Sequence, residues 1–109
     1  MEATYSDFLK LEIRVGRIKA AEAFPEARNP SLKLSIDFGP LGVKSSSAQI
    51  TEHYDPHALV GTYVAAVTNF PPKRIAGFVS QVLVLGAVPP DGVVLLRPDR
   101  GVEPGTRVL

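Results

Sequence analysis

The chain of 109 residues contains no cysteine. This absence excludes a disulfide framework, a thiolate metal site and a thiol nucleophile, and it is compatible with the cytoplasmic location that we expect. No apolar run approaches the roughly 20 residues that cross a bilayer as a helix, so membrane insertion is not expected. The first ten residues, MEATYSDFLK, carry early acids and no apolar stretch, which argues against a signal peptide.

A strong excess of charge of either sign is also missing. The formal net charge is +1, with 21% charged and 45% hydrophobic residues. These proportions are typical of a globular chain, and we expect one domain over residues 1–109. A near-neutral domain binds phosphate only where its cations cluster. Between Pro56 and Pro90 there is no acidic residue, and Lys73 and Arg74 lie inside that span, so we expect a positive patch there.

Hydrophobic periodicity predicts a series of short strands. Alternating patterns predict half-buried strands over residues 11–18 and 32–38. Gly16 interrupts the first of them, as a bulge or a tight bend would. A third strand follows the GPLG turn, over residues 43–50. The near-continuous apolar runs predict two buried strands, at 62–69 and 81–88, and a further short strand lies within residues 92–97.

Signals for the start and the end of a short helix occur between the third and fourth predicted strands. Asp55 is a suitable N-cap, Pro56 suits the first helical position and Gly61 lies just past the end. The segment YSDFLKL near the start predicts one helical turn, capped by Ser6 or Asp7. About five strands, one short helix, short terminal extensions and no βαβ alternation predict an all-β fold, a five-stranded OB-type barrel.

The connection NFPPKRIAGFVS, residues 69–80, surrounds Lys73 and Arg74 with Phe70, Ile75 and Phe78. Connections are rarely buried, because their backbone polar groups would go unpaired, so this one is predicted to face solvent and bind a ligand. OB-folds bind extended ligands by combining basic grooves with aromatic platforms. In the alternative interpretation the prolines only stiffen a loop, the phenylalanines pack in the core and the cations are solvated.

Other polar segments carry weaker signals. The hydroxyls of KSSSAQ, residues 44–49, could donate to a ligand or make ordinary cross-strand hydrogen bonds, and both interpretations stay open. His53 and His57 straddle the predicted helix start, so we expect surface histidines, no metal site and no cofactor. No nucleophile elbow or triad is evident, which predicts a protein that is not an enzyme. Arg97 and Arg100 are interpreted as a solvated turn.

Four blocks carry a resemblance to a known family: DFLKLEIRVGRI, ARNPSLKLSIDFG, KSSSAQITEHY and LVGTYVAAVTNFPPKRIAGFVSQVLVLG. Together they resemble the CsaA proteins, small members of the tRNA-binding-domain family whose relatives are appended to methionyl- and phenylalanyl-tRNA synthetases. The resemblance covers essentially the whole chain. It implies an OB-fold homodimer without catalysis that binds unfolded or precursor polypeptides as a chaperone, with a link to protein export. Close relatives bind tRNA by its shape.

The resemblance also assigns positions. Asn69 matches the asparagine that ends the fourth strand of the family, Lys73 and Arg74 match its basic loop, and Ser80 matches the serine that begins its fifth strand. Arg28 and Lys33 match basic residues before and within the second strand. These six residues are the tRNA-binding candidates. The synthetase-linked relatives read Ser-x-Gly-Met where residues 80–83 read SQVL, a departure that favours the chaperone branch.

We therefore expect peptide binding at one surface, by Phe70, Lys73, Arg74, Ile75 and Phe78, with tRNA binding by the same face as the alternative. A third interpretation is a domain that only mediates assembly with a synthetase or translocase subunit.

Apolar residues near the two ends of the chain exceed what a small barrel can hold. They predict a homodimer interface formed by Phe8, Leu9, Val88, Val94 and Leu95. The alternative is a monomer with these side chains in its core.

Overall fold

The computed structural model describes residues 1–109. In chain order its elements are α1 (Tyr5–Leu9), β1 (Ile13–Ala23), β2 (Leu32–Asp37), a 3-10 turn (Gly39–Leu41), β3 (Val43–Ala48), α2 (Pro56–Leu59), β4 (Tyr63–Val67), β5 (Lys73–Ile75), β6 (Phe78–Ser80), β7 (Leu83–Val84), β8 (Gly86–Ala87) and β9 (Val94–Leu95). No helix has both the length and the apolar character needed to cross a bilayer.

The long strand β1 organises the main sheet. It pairs with β4 along its first half and with β2 along its second half, and all pairings of the sheet are antiparallel. The five strands follow the order β3-β2-β1-β4-β7. Two amides after β6 then close the barrel, since Gln81 N and Val82 N donate to the Ser45 carbonyl at 2.8 and 3.3 Å. The predicted five-stranded barrel is confirmed, with α2 between its third and fourth strands.

The barrel core is built from inward-facing residues of the sheet. In β2 every second residue, Leu32, Leu34 and Ile36, is buried, as the alternating pattern predicted. The whole apolar cluster consists of Ile18, Leu32, Leu34, Ile36, Phe38, Ile50, Leu59, Val64, Ala66, Val82 and Leu95. Burying a large aliphatic or aromatic side chain stabilises a fold by about 1.5–3 kcal/mol, so this cluster holds the strands together.

The cap of α2 agrees with the prediction, whereas the cap of α1 differs from it. The Asp55 side chain accepts from His57 N at 2.9 Å, Pro56 begins α2 and Gly61 follows with φ +92°, which confirms that prediction. In α1 the N-cap is Thr4, where Ser6 or Asp7 was predicted. Asp7 instead completes a capping box, because its carboxylate accepts from Thr4 N at 2.9 Å. This backbone hydrogen bond is the main cause of the lowered pKa of Asp7.

A bulge or a tight bend was predicted at Gly16, and the bulge is not there. Gly16 pairs with Val64 in a regular register, and the register shift of β1 falls between Ile18 and Ala20. A Cβ atom on Gly16 would lie 2.5 Å from Ile36 Cγ2 and 2.7 Å from a ring carbon of Phe38. Gly16 is therefore required for close packing inside the barrel.

The predicted buried strand over residues 81–88 is also wrong. The segment forms two short strands, β7 on β4 and β8 on β9, and of its residues only Val82 is buried. Leu83 is 49% exposed and Val88 is 81% exposed. The segment changes partner twice, so its apolar side chains are not covered by a single neighbouring strand.

Candidate ligand-binding groove

The connection predicted to face solvent is a regular β-hairpin. Strand β5 pairs antiparallel with β6, and the two residues between them, Ala76 and Gly77, have φ of +46° and +83°. Two-residue turns with positive φ match the twist of paired strands, which explains why this sequence forms a hairpin. The side chains of Lys73 and Arg74 on β5 are exposed.

Polar side chains fasten this hairpin to β3. Ser45 Oγ donates to the Val79 carbonyl at 2.6 Å, and Ser47 N donates to Ser80 Oγ at 2.9 Å. Ser45 N also donates to Gln81 Oε1 at 3.0 Å. Of the two interpretations of the serine hydroxyls, the cross-strand one holds for Ser45, whereas Ser47 contacts Ser80 through its main-chain amide. Gln81 was not predicted as a site residue, since a single polar residue at the start of an apolar run indicates no particular partner.

A groove of about 820 Å³ lies beside the hairpin. Its walls come from the β1–β2 connection, the end of β3, the segment from Phe70 to Ile75, and residues 80–93. Six of the predicted ligand-binding residues line it, namely Arg28, Phe70, Lys73, Arg74, Ile75 and Ser80, and so does Val88 of the predicted dimer interface. No carboxylate lines the groove, and none of its three cations is in an ion pair. The groove is therefore a positively charged surface with apolar walls.

Phe78 and Lys33 lie outside the groove. The Phe78 ring packs edge-to-face on the buried ring of Phe24, with centroids 5.4 Å apart. The Lys33 ammonium lies 4.7 Å from the Phe24 centroid and 5.4 Å from the Phe78 centroid, a cation–π arrangement. Phe78 is half-buried, so it anchors β6 on the barrel, whereas Phe70 is 43% exposed at the groove.

Asn69 lies outside the groove and holds the N-terminal segment. Its Oδ1 accepts from Glu12 N and its Nδ2 donates to the Lys10 carbonyl, both at 2.8 Å. Beside it, Arg14 donates to Glu12 Oε1 at 2.7 and 3.1 Å, and this contact lowers the pKa of the Glu12 carboxyl. Asn69 therefore has a structural role that its place at the end of the fourth strand did not predict.

The predicted interface residues occupy two environments. Val88, Val94 and Leu9 are 81%, 43% and 41% exposed, and Phe8 is half-buried. Leu95 is 6% exposed and belongs to the barrel core. Successive residues of a strand face opposite sides, so β9 exposes Val94 and buries its neighbour.

The remaining candidate residues lie elsewhere. His53 Nε2 is 3.7 Å from Asp91 Oδ2, and His57 lies in the first turn of α2. The 109 residues hold no group of three or more histidines, aspartates or glutamates placed to bind a metal ion. Arg97 and Arg100 line a second, smaller pocket of about 330 Å³ together with Tyr63.

Comparison with known proteins adds family relationships. Residues 13–107 match the model of a family described as "Putative tRNA binding domain". The methionine–tRNA ligase of Methanococcoides burtonii is 38% identical over 104 residues, which are 94% of this chain and 15% of the ligase. The chain therefore spans about one seventh of that relative.

Two solved structures are similar over their whole length. The chaperone CsaA of Bacillus anthracis has a TM-score of 0.96 and 53% identity, with both chains fully covered. The CsaA chaperone protein of Picrophilus torridus has a TM-score of 0.94 and 53% identity, with 99% of this chain and all of that chain covered.

Proposed function

The chain belongs to the tRNA-binding-domain family, in the branch of the CsaA proteins, and from this membership we propose that it is a non-enzymatic chaperone that binds unfolded or precursor polypeptides. We place the binding site in the groove beside the β5–β6 hairpin. In this proposal the protein is cytoplasmic, acts as a homodimer and is linked to protein export.

The observation that carries the proposal is the mixed character of the groove. Phe70 and Ile75 offer apolar surface next to Arg28, Lys73 and Arg74, and no carboxylate lies among them. Apolar client segments would lie against Phe70 and Ile75, while the cations would contact client carbonyls or acidic side chains. Phe78 would contribute by holding β6 in place through its packing on Phe24. Such binding would shield apolar segments from self-association.

The second candidate function is tRNA binding by the same face. It is supported by the family description and by the positive charge of the groove. In that case Arg28, Lys73 and Arg74 would contact phosphates and Ser80 would donate a hydrogen bond. Lys33 and Asn69 lie outside the groove. They would contact tRNA only if its bound surface extended beyond the groove, and otherwise they would contribute by holding other binding residues in position.

Salt dependence distinguishes the two functions. The purified protein is titrated with a fluorescent tRNA and with a fluorescent unfolded apolar peptide at several salt concentrations. Cations bound to phosphates release counterions, so tRNA affinity falls steeply with salt, by a logarithmic slope of about −0.7 to −0.9 per phosphate contacted. Peptide affinity based on apolar contacts changes little or rises. Peptide binding that survives high salt supports the chaperone function, and salt-sensitive tRNA binding without peptide binding contradicts it.

Variants of the groove residues then test whether the ligands bind in the groove. Phe70→Ser removes exposed apolar surface and is expected to weaken peptide binding, whereas Phe78 is unsuitable because its loss also removes packing on Phe24. The double variant Lys73→Ala with Arg74→Ala tests the cations. Its matched control is Lys19→Ala with Arg97→Ala, which removes two exposed cations outside the groove. If the groove variant bound both peptide and tRNA as tightly as the control variant does, this placement of the site would be contradicted.

A further inference from the structure

Hydrogen bonds close the barrel along only part of the gap between β3 and β7. In an antiparallel pair, residues alternate between bonding to the partner strand and turning their N–H and C=O groups away from it. Ser45 and Ser47 turn away from β2, because their amides donate to Gln81 Oε1 at 3.0 Å and to Ser80 Oγ at 2.9 Å. Side chains thus replace the main-chain acceptors of a neighbouring strand at Ser45 and Ser47. On this stretch, main-chain amides across the gap reach only the Ser45 carbonyl.

Beyond Ser47 the edge of β3 has no such substitute. The Ser47 carbonyl receives only the Ser46 hydroxyl, at 3.4 Å, which is long for an O–H donor. Gln49 is the next residue whose main-chain groups point to the same side as those of Ser45 and Ser47. Its N–H donates no hydrogen bond within the protein. Both residues line the groove. The groove wall therefore presents an acceptor and a donor of the main chain, spaced as in a strand edge.

The opposite wall of the groove has the same character. Val82 N donates across to Ser45, and Leu85 N donates to the Ala65 carbonyl in β4. By alternation, Val84 between them turns its main-chain groups away from β4, and Val84 lines the groove. An unpaired strand edge is a template for another extended chain.

The chemistry of this edge selects a polypeptide over a nucleic acid. An added strand supplies alternating N–H donors and C=O acceptors, which pair with the Ser47 carbonyl and the Gln49 amide. The ribose 2′-hydroxyls of an RNA can donate single hydrogen bonds, but its sugar–phosphate backbone has no series of N–H donors and C=O acceptors at the spacing of a strand. The three cations of the groove, with no carboxylate beside them, further favour a segment that carries acidic side chains.

We propose that an extended, acidic polypeptide segment binds in the groove as an added strand on the edge of β3, through main-chain hydrogen bonds to Ser47 and Gln49. This inference rests on the proposed function and specifies how the client is recognised. Main-chain pairing itself does not depend on client side chains, while side chains at alternate positions reach Phe70 on one side or the cations on the other and add the preference for acidic residues. A chaperone needs this tolerance because its clients differ in sequence.

Backbone N-methylation of the ligand tests the inference with the unaltered protein. Three forms of one ten-residue peptide of alternating valine and glutamate are compared by fluorescence anisotropy, namely unmodified, N-methylated at the valines, and N-methylated at the glutamates. An added strand uses only every second amide, so one methylated form is expected to bind roughly 3- to 10-fold more weakly per lost hydrogen bond. The other form keeps every hydrogen bond to β3 and is expected to bind more tightly than the first. The alternating pattern fixes the register, since a slip by one residue exchanges the two faces.

Substitution of Gln49 tests the protein side. Gln49→Pro removes the amide donor, and proline is tolerated at strand edges, so peptide affinity is expected to fall by a similar factor. Gln49→Ala removes the same groove-lining side chain but keeps the amide, so the further loss of affinity from Gln49→Ala to Gln49→Pro measures the contribution of the main-chain donor. If Gln49→Pro fails to fold, the methylated peptides decide the question alone.

The outcomes separate this inference from the function on which it rests. If all three peptides bind equally, the client is held without main-chain pairing, and the inference is wrong while the chaperone function stands. If the apolar peptide of the salt titration binds but the valine–glutamate peptide does not, the inference is wrong and the chaperone function stands. If neither peptide binds and tRNA does, the proposed function and this inference both fail.

Discussion

At the scale of the residue, Gly16 shows how closely β1 approaches the strand beside it. A Cβ atom there would lie 2.5 Å from Ile36 Cγ2, and both Ile36 and Phe38 are fully buried. We expect Gly16→Ala to lower the free energy of unfolding by about 1–3 kcal/mol, because the surrounding core has to shift. Urea denaturation measures this change.

The matched control for Gly16→Ala is Ala20→Val in the same strand. Ala20 is exposed, so this change adds side-chain volume towards solvent and is expected to alter stability by no more than about 0.5 kcal/mol. Equal urea midpoints for Gly16→Ala and the unaltered protein would show that the interior tolerates the extra methyl group and would contradict the close-packing explanation.

At the scale of the element, the β5–β6 hairpin turns through Ala76, the one residue other than glycine with positive φ, at +46°. Asn-Gly is strongly preferred in two-residue turns of this kind, because asparagine tolerates the left-handed region. We expect Ala76→Asn to stabilise the protein by about 0.5–1 kcal/mol, measured as a shift of the thermal unfolding midpoint.

The opposite substitution at the turn provides the contrast. Ala76→Val places a β-branched residue at positive φ, where such residues are strongly disfavoured, so the hairpin is expected to lose stability and its amides to exchange faster with solvent. If both substitutions moved the unfolding midpoint in the same direction, the turn geometry would not be what limits the stability of the hairpin.

At the scale of the whole molecule, we expect a homodimer that buries part of the exposed apolar surface around Val88 and Val94. Val88→Asp combined with Val94→Asp is expected to shift sedimentation from the mass of two chains to that of one, because an unpaired buried carboxylate is costly. Val60→Asp, at a valine that is 54% exposed outside the predicted interface, serves as the control and is expected to remain dimeric. Sedimentation of the unaltered protein as a monomer at micromolar concentration would contradict the dimer.

The sequence by itself determined the class of the fold, because that class depends on local periodicity and on turn chemistry. The alternation of β2, the cap of α2 at Asp55 and the glycine that ends it are all encoded within a few neighbouring residues. The positive surface was also predictable, since the stretch between Pro56 and Pro90 without any acid contains both cations of β5.

Only the tertiary structure decided which of these residues share a surface. Phe70 and Phe78 are equivalent in the sequence, yet one lines the groove and the other packs on Phe24, which is 54 residues earlier in the chain than Phe78. Asn69 contacts Lys10 and Glu12 across a comparable separation. Such contacts depend on how the strands are ordered around the barrel, and short-range periodicity carries no information about that order. The open edge of β3 is a consequence of the same arrangement, because a strand edge is free only when no neighbour covers it.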